Sequence, residues 1–140
     1  GAKSIPGGYE GVHVVTTSDL DPEAEDTKLF QAVVGKYGDG AKESVITGSG
    51  YSPMLGMINA LNAAKITDVS AKGVTAAMKS APATNYPLGA GATFTCDGKQ
   101  MPISPNVCSS DGIIASATAD GKLEDYQLVP SDPELYSPAS

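Results

Sequence analysis

Cysteine and histidine are scarce in this chain: two cysteines, Cys96 and Cys108, and one histidine, His13. A structural zinc site generally takes four Cys or His ligands, and neither cysteine belongs to a CxxC pair, so no metal site is expected. The missing CxxC also argues against a redox dithiol. A catalytic thiol wants a histidine beside it, and His13 is the one candidate. The sequence therefore assigns no catalytic residue, no metal ligand and no cofactor. It has no run of eighteen apolar residues of the kind that spans a bilayer as a helix. Its opening, GAKSIPGG, lacks the charged and apolar regions of a signal peptide. If the protein is exported, its signal has been removed or the chain is part of a longer one. Basic residues are few, 9 against 16 acids for a formal charge of −7. That balance disfavours nucleic acid and anionic membranes, which attract clustered Lys and Arg. No internal repeat is present.

What is there suits a globular domain. The 140 residues make room for about one domain, able to bury roughly two thirds of its unfolded surface, and 41% of them are hydrophobic, an ordinary share. Both cysteines fall in FTCDGKQMPISPNVC, residues 94–108. With zinc and redox set aside, two readings remain, a disulfide or two buried thiols. Asp97-Gly98, Pro102 and Pro105 are turn formers that fold the segment back on itself, so the disulfide is expected. It would contribute roughly 3 kcal/mol by loop closure and place the protein in an oxidising compartment.

Along the chain, GVHVVTT (11–17) is rich in β-branched residues and reads as a strand, with His13 as a packed or half-exposed member of it. Asp21-Pro22 is expected to open a first helix, Asp21 as its cap and Pro22 at its first position, with Glu23, Glu25 and Asp26 favouring the helix dipole. Phe30, Val33, Val34 and Tyr37 follow at helical spacing, and Gly38 ends it. A second helix lies within residues 44–64. Met54, Leu55, Ile58 and Leu61 line one side and Met57 and Ala60 widen it, so it should be buried. Gly48, Ser49, Gly50 and Pro53 leave its beginning open: the helix starts at Ser52-Pro53, or an earlier helix is kinked there. No lysine follows the glycines, as a Walker loop requires, and the Rossmann fingerprint is absent. A third helix spans roughly 69–80, with Val74, Ala77 and Met78 inward and Pro82 as its stop. GIIASATADGKLEDYQLV then predicts two strands joined at Ala119-Asp120-Gly121-Lys122, since Asp-Gly between apolar runs signals a hairpin. The end, residues 131–140, reads as a loose, proline-rich tail.

One early strand serving three helices, with the other strands at the end, is an awkward complete α/β domain. It reads as the last part of something larger. The succession GYEGVHVV, an Asp-Pro-led helix, GSGYSPMLGMINALNAA, VTAAMKSAP, PLGAGATFTCDGK with PNVCSSDG, and ADGKLEDYQLV resembles the C-terminal part of type I periplasmic-binding-protein solute receptors. More narrowly, it is similar to the branched-chain amino-acid group of ABC-transporter substrate-binding proteins in the actinobacterial version. The resemblance rests on the order and spacing of these motifs over about residues 5–130. It implies an α/β fold of two lobes: residues 1–17 as a strand and inter-lobe crossing, 18–85 as three helices of one lobe, and 86–130 as a second crossing with the cysteine-bridged loop and hairpin of the other lobe. It implies export, to the extracellular space or the cell envelope, with a lipid anchor on the full-length protein as one form.

The resemblance further implies a binding protein that catalyses nothing, closing two lobes on a small-molecule solute and handing it to the membrane permease of an ABC importer. The family's ligand-ammonium and carboxylate contacts would lie upstream. The start of the second helix would lend ligand-binding side chains, which match Ile46, Thr47, Ser49 and Tyr51 here. The residues alone leave another reading open, in which Ile46 and Tyr51 pack in the core. Two other functions are weighed. An enzyme would need a nucleophile–base pair or a carboxylate dyad, and none is recognisable. An autonomous interaction or dimerising α/β module would self-associate through apolar surface. The solute's identity is not legible.

Overall fold

The computed structural model describes residues 4–132, so most of the expected tail lies outside the described residues. Ile113, Ala115 and Ala117 alternate with Ile114 and Ser116, and this alternation makes a strand with one buried face. In chain order the elements are β1 (His13–Thr16), α1 (Glu25–Tyr37), α2 (Val45–Ala63), α3 (Ala71–Ser80), β2 (Thr84–Asn85), β3 (Thr93–Phe94), β4 (Gly112–Ala117) and β5 (Leu123–Val129). The result is a mixed α/β fold with two small antiparallel sheets, β1-β4-β5 and β2-β3. The chain divides into two compact units, residues 4–50, 88–90 and 112–129, and residues 51–87, 91–111 and 130–132. The division falls inside α2.

In the first unit, β4 is the central strand. Val14 and Thr16 of β1 pair with Ala115 and Ile113 on its buried face, whereas His13 and Val15 pair with Ser116 and Ile114 on the other. His13 is exposed, with Nδ1 3.4 Å from the Ser116 hydroxyl. The β4–β5 hairpin forms where the Asp-Gly signal put it. Gly121 takes φ 87°, the Thr118 N–H donates to the Lys122 carbonyl at 2.8 Å, and the Gly121 N–H donates to the Thr118 carbonyl at 2.8 Å. Phe30, at 1% exposure, and Thr27 are the buried residues of α1.

In the second unit, Ala60, Ala81 and Phe94 form a buried cluster with Ala64, Met78, Tyr86, Cys96 and Cys108 packed on it. Tyr86 meets Phe94 edge-on, ring centres 6.3 Å apart. The cysteines are bonded to each other, and the Thr95 N–H reaches the Cys108 carbonyl at 2.8 Å. The staple thus rests on the apolar cluster. α3 is capped by the Ser70 hydroxyl, which accepts the Gly73 N–H at 3.2 Å. Val74, Ala77 and Met78 are half-buried, and the extended Ala81 before Pro82 ends the helix.

Three expectations need correction. α1 begins at Glu25, because the Asp21 carboxylate is used earlier, accepting the Glu23 N–H at 2.9 Å in a local turn. Tyr37 is 71% exposed, lying under the Lys36 ammonium instead of in a core. The Met54–Ile58 side of α2 is not the buried one. Of the two openings left for this helix the structure takes the earlier: it is helical from Val45, and Pro53 lies in its interior. The buried residues of α2 are Gly48, Ser52, Gly56 and Ala60, spaced by four and hence stacked on one side. A Cβ on Gly56 would stand 3.3 Å from a Phe94 ring carbon and 3.4 Å from Pro87 Cδ. Small residues let neighbours approach α2 closely there, and a large side chain would hold them off.

Candidate functional site

The first turns of α2 carry the residues singled out from the sequence. Their chemistry starts with Ser44 and Thr47. The Ser44 N–H donates to the Thr47 hydroxyl oxygen at 2.9 Å, and the Thr47 N–H donates to the Ser44 hydroxyl oxygen at 3.2 Å. This reciprocal pair satisfies free donors at the helix start. The Thr47 hydroxyl also sits 2.9 Å from the Lys42 carbonyl. Thr47 is therefore engaged in holding the helix end.

Ser49 differs. Its hydroxyl donates to the Val45 carbonyl at 2.8 Å, one turn back, and lies 3.4 Å from the Thr17 hydroxyl, exposed. The Ser49 oxygen keeps acceptor capacity toward solvent. Ile46 is 84% exposed, so core packing does not account for it. Tyr51 is half-buried. Helical spacing sets Ile46 beside Ser49 and Thr47 beside Tyr51, as i,i+3 and i,i+4 pairs on two different sides. The fold thus groups Ile46 and Ser49 with Thr17, and gives Thr47 to the cap.

Two residues missed in the sequence complete this corner. Thr17 and Ser18 follow β1 directly. Ser18 is fully buried, and its hydroxyl has no hydrogen-bond partner among the described residues. It occupies the space beside Gly48, where a Cβ would stand 3.1 Å from the Ser18 oxygen and 3.3 Å from Leu88 Cδ1. The signal was legible in TSD, residues 17–19, three side chains of hydrogen-bonding chemistry straight after a strand, but nothing in the sequence paired that run with GSG.

Leu88 is fixed in turn by the first unit's acids. The Asp19 N–H donates to its carbonyl at 2.7 Å, and its own N–H donates to the Asp26 carboxylate at 3.2 Å. Leu88 takes φ 59°, a conformation crowded for a side chain and held here by those two bonds and its burial. Burial raises the Asp19 carboxyl above its usual range. The Asp21 N–H, donating at 2.8 Å, lowers it in part, and the charges of Asp21 and Asp26 raise it again. Burial, with the charges of Asp19 and Asp21, likewise raises the Tyr126 phenol.

Among the described residues no group of three His, Cys, Asp or Glu side chains is placed to hold a metal ion, and no helix is long and apolar enough to cross a membrane. No protein-family model matches the chain, nor does any curated protein or solved structure.

Proposed function

We propose that the chain is part of the solute-binding component of an ABC importer, which holds a small organic molecule, an amino acid or similar solute, between two lobes of a type I periplasmic-binding-protein fold for delivery to a membrane permease. In this reading it catalyses nothing and works outside the cytoplasm. The observation that carries it is the corner at the start of α2, where the exposed Ser49 and Thr17 hydroxyls stand 3.4 Å apart beside an 84% exposed Ile46. Polar groups with spare hydrogen-bonding capacity next to exposed apolar surface suit a small solute with one polar and one apolar part. The Cys96–Cys108 disulfide supports an exported protein.

Native mass spectrometry of the protein as isolated, followed by thermal shift against a panel of amino acids and related solutes, tests this. A carried-over or added solute should raise Tm, and Ser49→Trp should abolish that rise while leaving the ligand-free Tm nearly unchanged. A fall in ligand-free Tm with no specific loss of binding would assign Ser49 to packing.

A second reading, an autonomous interaction or dimerising α/β module, is favoured by one observation. Met54 and Ile58, one turn apart on α2, are 57% and 45% exposed, and exposed apolar surface is often an interaction site. Concentration-dependent sedimentation with no solute response would support it over transport.

A further inference from the structure

The chain holds four Asp-Gly pairs, at 39–40, 97–98, 111–112 and 120–121, and we propose that Asp39-Gly40 alone is a site of spontaneous isoaspartate formation in the folded protein. In this reaction the main-chain nitrogen of the glycine attacks Cγ of the preceding aspartic acid. The N–Cγ bond forms, the Cγ–OH bond breaks, and water leaves with the nitrogen's proton. Water then opens the five-membered imide. Addition at one carbonyl restores aspartate; addition at the other routes the main chain through Cβ and Cγ. No oxidant or co-reactant is needed. The step does need a carboxyl not held by hydrogen bonds, a nitrogen free to attack and no side chain on the next residue to obstruct ring closure.

Three of the four pairs are blocked by the fold. The Asp97 carboxylate accepts the Lys99 N–H at 3.0 Å and the Gln100 side-chain amide at 3.2 Å, bonds that hold it charged. Asp120 accepts the Thr118 hydroxyl at 2.6 Å and pairs with the Lys122 ammonium at 3.7 Å. The attacking nitrogen, that of Gly121, is itself bonded to the Thr118 carbonyl at 2.8 Å. Asp111 accepts the Ser131 N–H at 2.9 Å, and its neighbour Gly112 is fixed in β4 opposite Val129.

Asp39-Gly40 meets all three needs. It lies in the exposed connection from α1 to α2, in a turn closed by the Ala41 N–H donating to the Gly38 carbonyl at 2.8 Å. Among the described residues no hydrogen bond engages the Asp39 carboxyl or the Gly40 N–H, and a Cβ built on Gly40 would meet nothing within 4 Å. Asp39 also takes φ 45°, which crowds its Cβ by roughly 1 kcal/mol. The extra main-chain carbon of isoaspartate releases that constraint, so the fold does not oppose the product.

The experiment incubates the intact protein for weeks in warm, near-neutral buffer. Isoaspartyl methyltransferase with a labelled methyl donor then reports isoaspartate, and peptide mapping locates it. The peptide carrying Asp39 should take several-fold more label than each peptide carrying Asp97, Asp111 or Asp120, and Asp39→Glu should remove that label alone. The denatured chain, treated identically, should label at all four positions. Equal labelling in the folded protein, stronger labelling at another pair, or no label at Asp39 while the denatured chain reacts would each overturn the proposal.

Discussion

Along one side of α2 stand Gly48, Ser52, Gly56 and Ala60, all buried; along the other stand Ile46, Met54 and Ile58, exposed by 84%, 57% and 45%. Three of the larger hydrophobic residues thus face water, while Leu55, Met57 and Leu61 are half-buried. Burial of apolar area alone would favour the opposite arrangement, since a fully buried Ile or Met contributes about 1.5–3 kcal/mol. What the small side offers instead is proximity: a Cβ on Gly56 would stand 3.3 Å from a Phe94 ring carbon, and one on Gly48 would stand 3.1 Å from the Ser18 oxygen and 3.3 Å from Leu88 Cδ1, closer than ordinary van der Waals contact. Many weak dispersion contacts at short range then accumulate along the helix. On a helix apolar nearly all round, side-chain size selects the buried side.

The largest test removes the staple that packs on the cluster around Ala60, at one end of the small side. Cys96 and Cys108 pack on the cluster that contains Ala60, and replacing both with serine should lower stability by about 3 kcal/mol, read from urea unfolding. A loss below about 0.5 kcal/mol would show that the staple is irrelevant to how α2 is seated. Next, Gly56→Val drives branched methyl groups toward Phe94 and should be destabilising by about 1–3 kcal/mol. An unchanged midpoint would mean that the close approach at Gly56 carries no weight. Gly50 is the internal control: it is exposed in the same helix with nothing within 4 Å of a Cβ, so Gly50→Ala should be stabilising by up to about 1 kcal/mol.

A smaller effect concerns the acids that hold Leu88 beside Gly48. Folding raises the Asp19 carboxyl above its ordinary value of 3.8, chiefly by burial. A raised carboxyl binds its proton more tightly in the folded state, so the associated stability is complete below pH 3.8 and is lost as pH climbs through the folded value. Asp19→Asn keeps the acceptor for the Asp21 N–H. It should therefore be stabilising at neutral pH, by less than about 1 kcal/mol given solvent screening, with the gain vanishing in acid. A gain that persists unchanged at low pH would break the argument. Smallest in stability is the double change Ile46→Ser, Met54→Ser, expected within about 0.5 kcal/mol of the parent. Any self-association seen by sedimentation should nonetheless weaken. A clear loss of stability would mean that the large side is covered after all.

The hairpin, the cysteine loop and the helix stops were legible because each depends on chemistry within a few residues. Asp120-Gly121 supplies a turn, Gly38 ends α1, and Pro82 forces Ala81 to be extended. The candidate corner was half legible. Ser49 belongs to an irregular helix start and Ile46 was implied by the resemblance, but Thr17 and Ser18 were not legible, because their place beside Ser49 and Gly48 joins segments about thirty residues apart.

The sequence by itself marked the three helices, the early strand, the late hairpin and its turn, and the bond between two cysteines in a turn-rich loop, but not the two-residue strands β2 and β3. Those follow from periodicity and from residues that restrict their own backbone. The tertiary structure decided the start of α1, where Asp21 turned its carboxylate to a local turn, and the exposure of Tyr37. It also decided the continuity of α2 through Pro53, since packing over its remaining turns offsets the hydrogen bond that proline lacks. Above all it chose which side of α2 is buried. That choice depends on how near Phe94, Pro87, Ser18 and Leu88 come, and distances between segments remote in sequence are fixed only once the chain has folded.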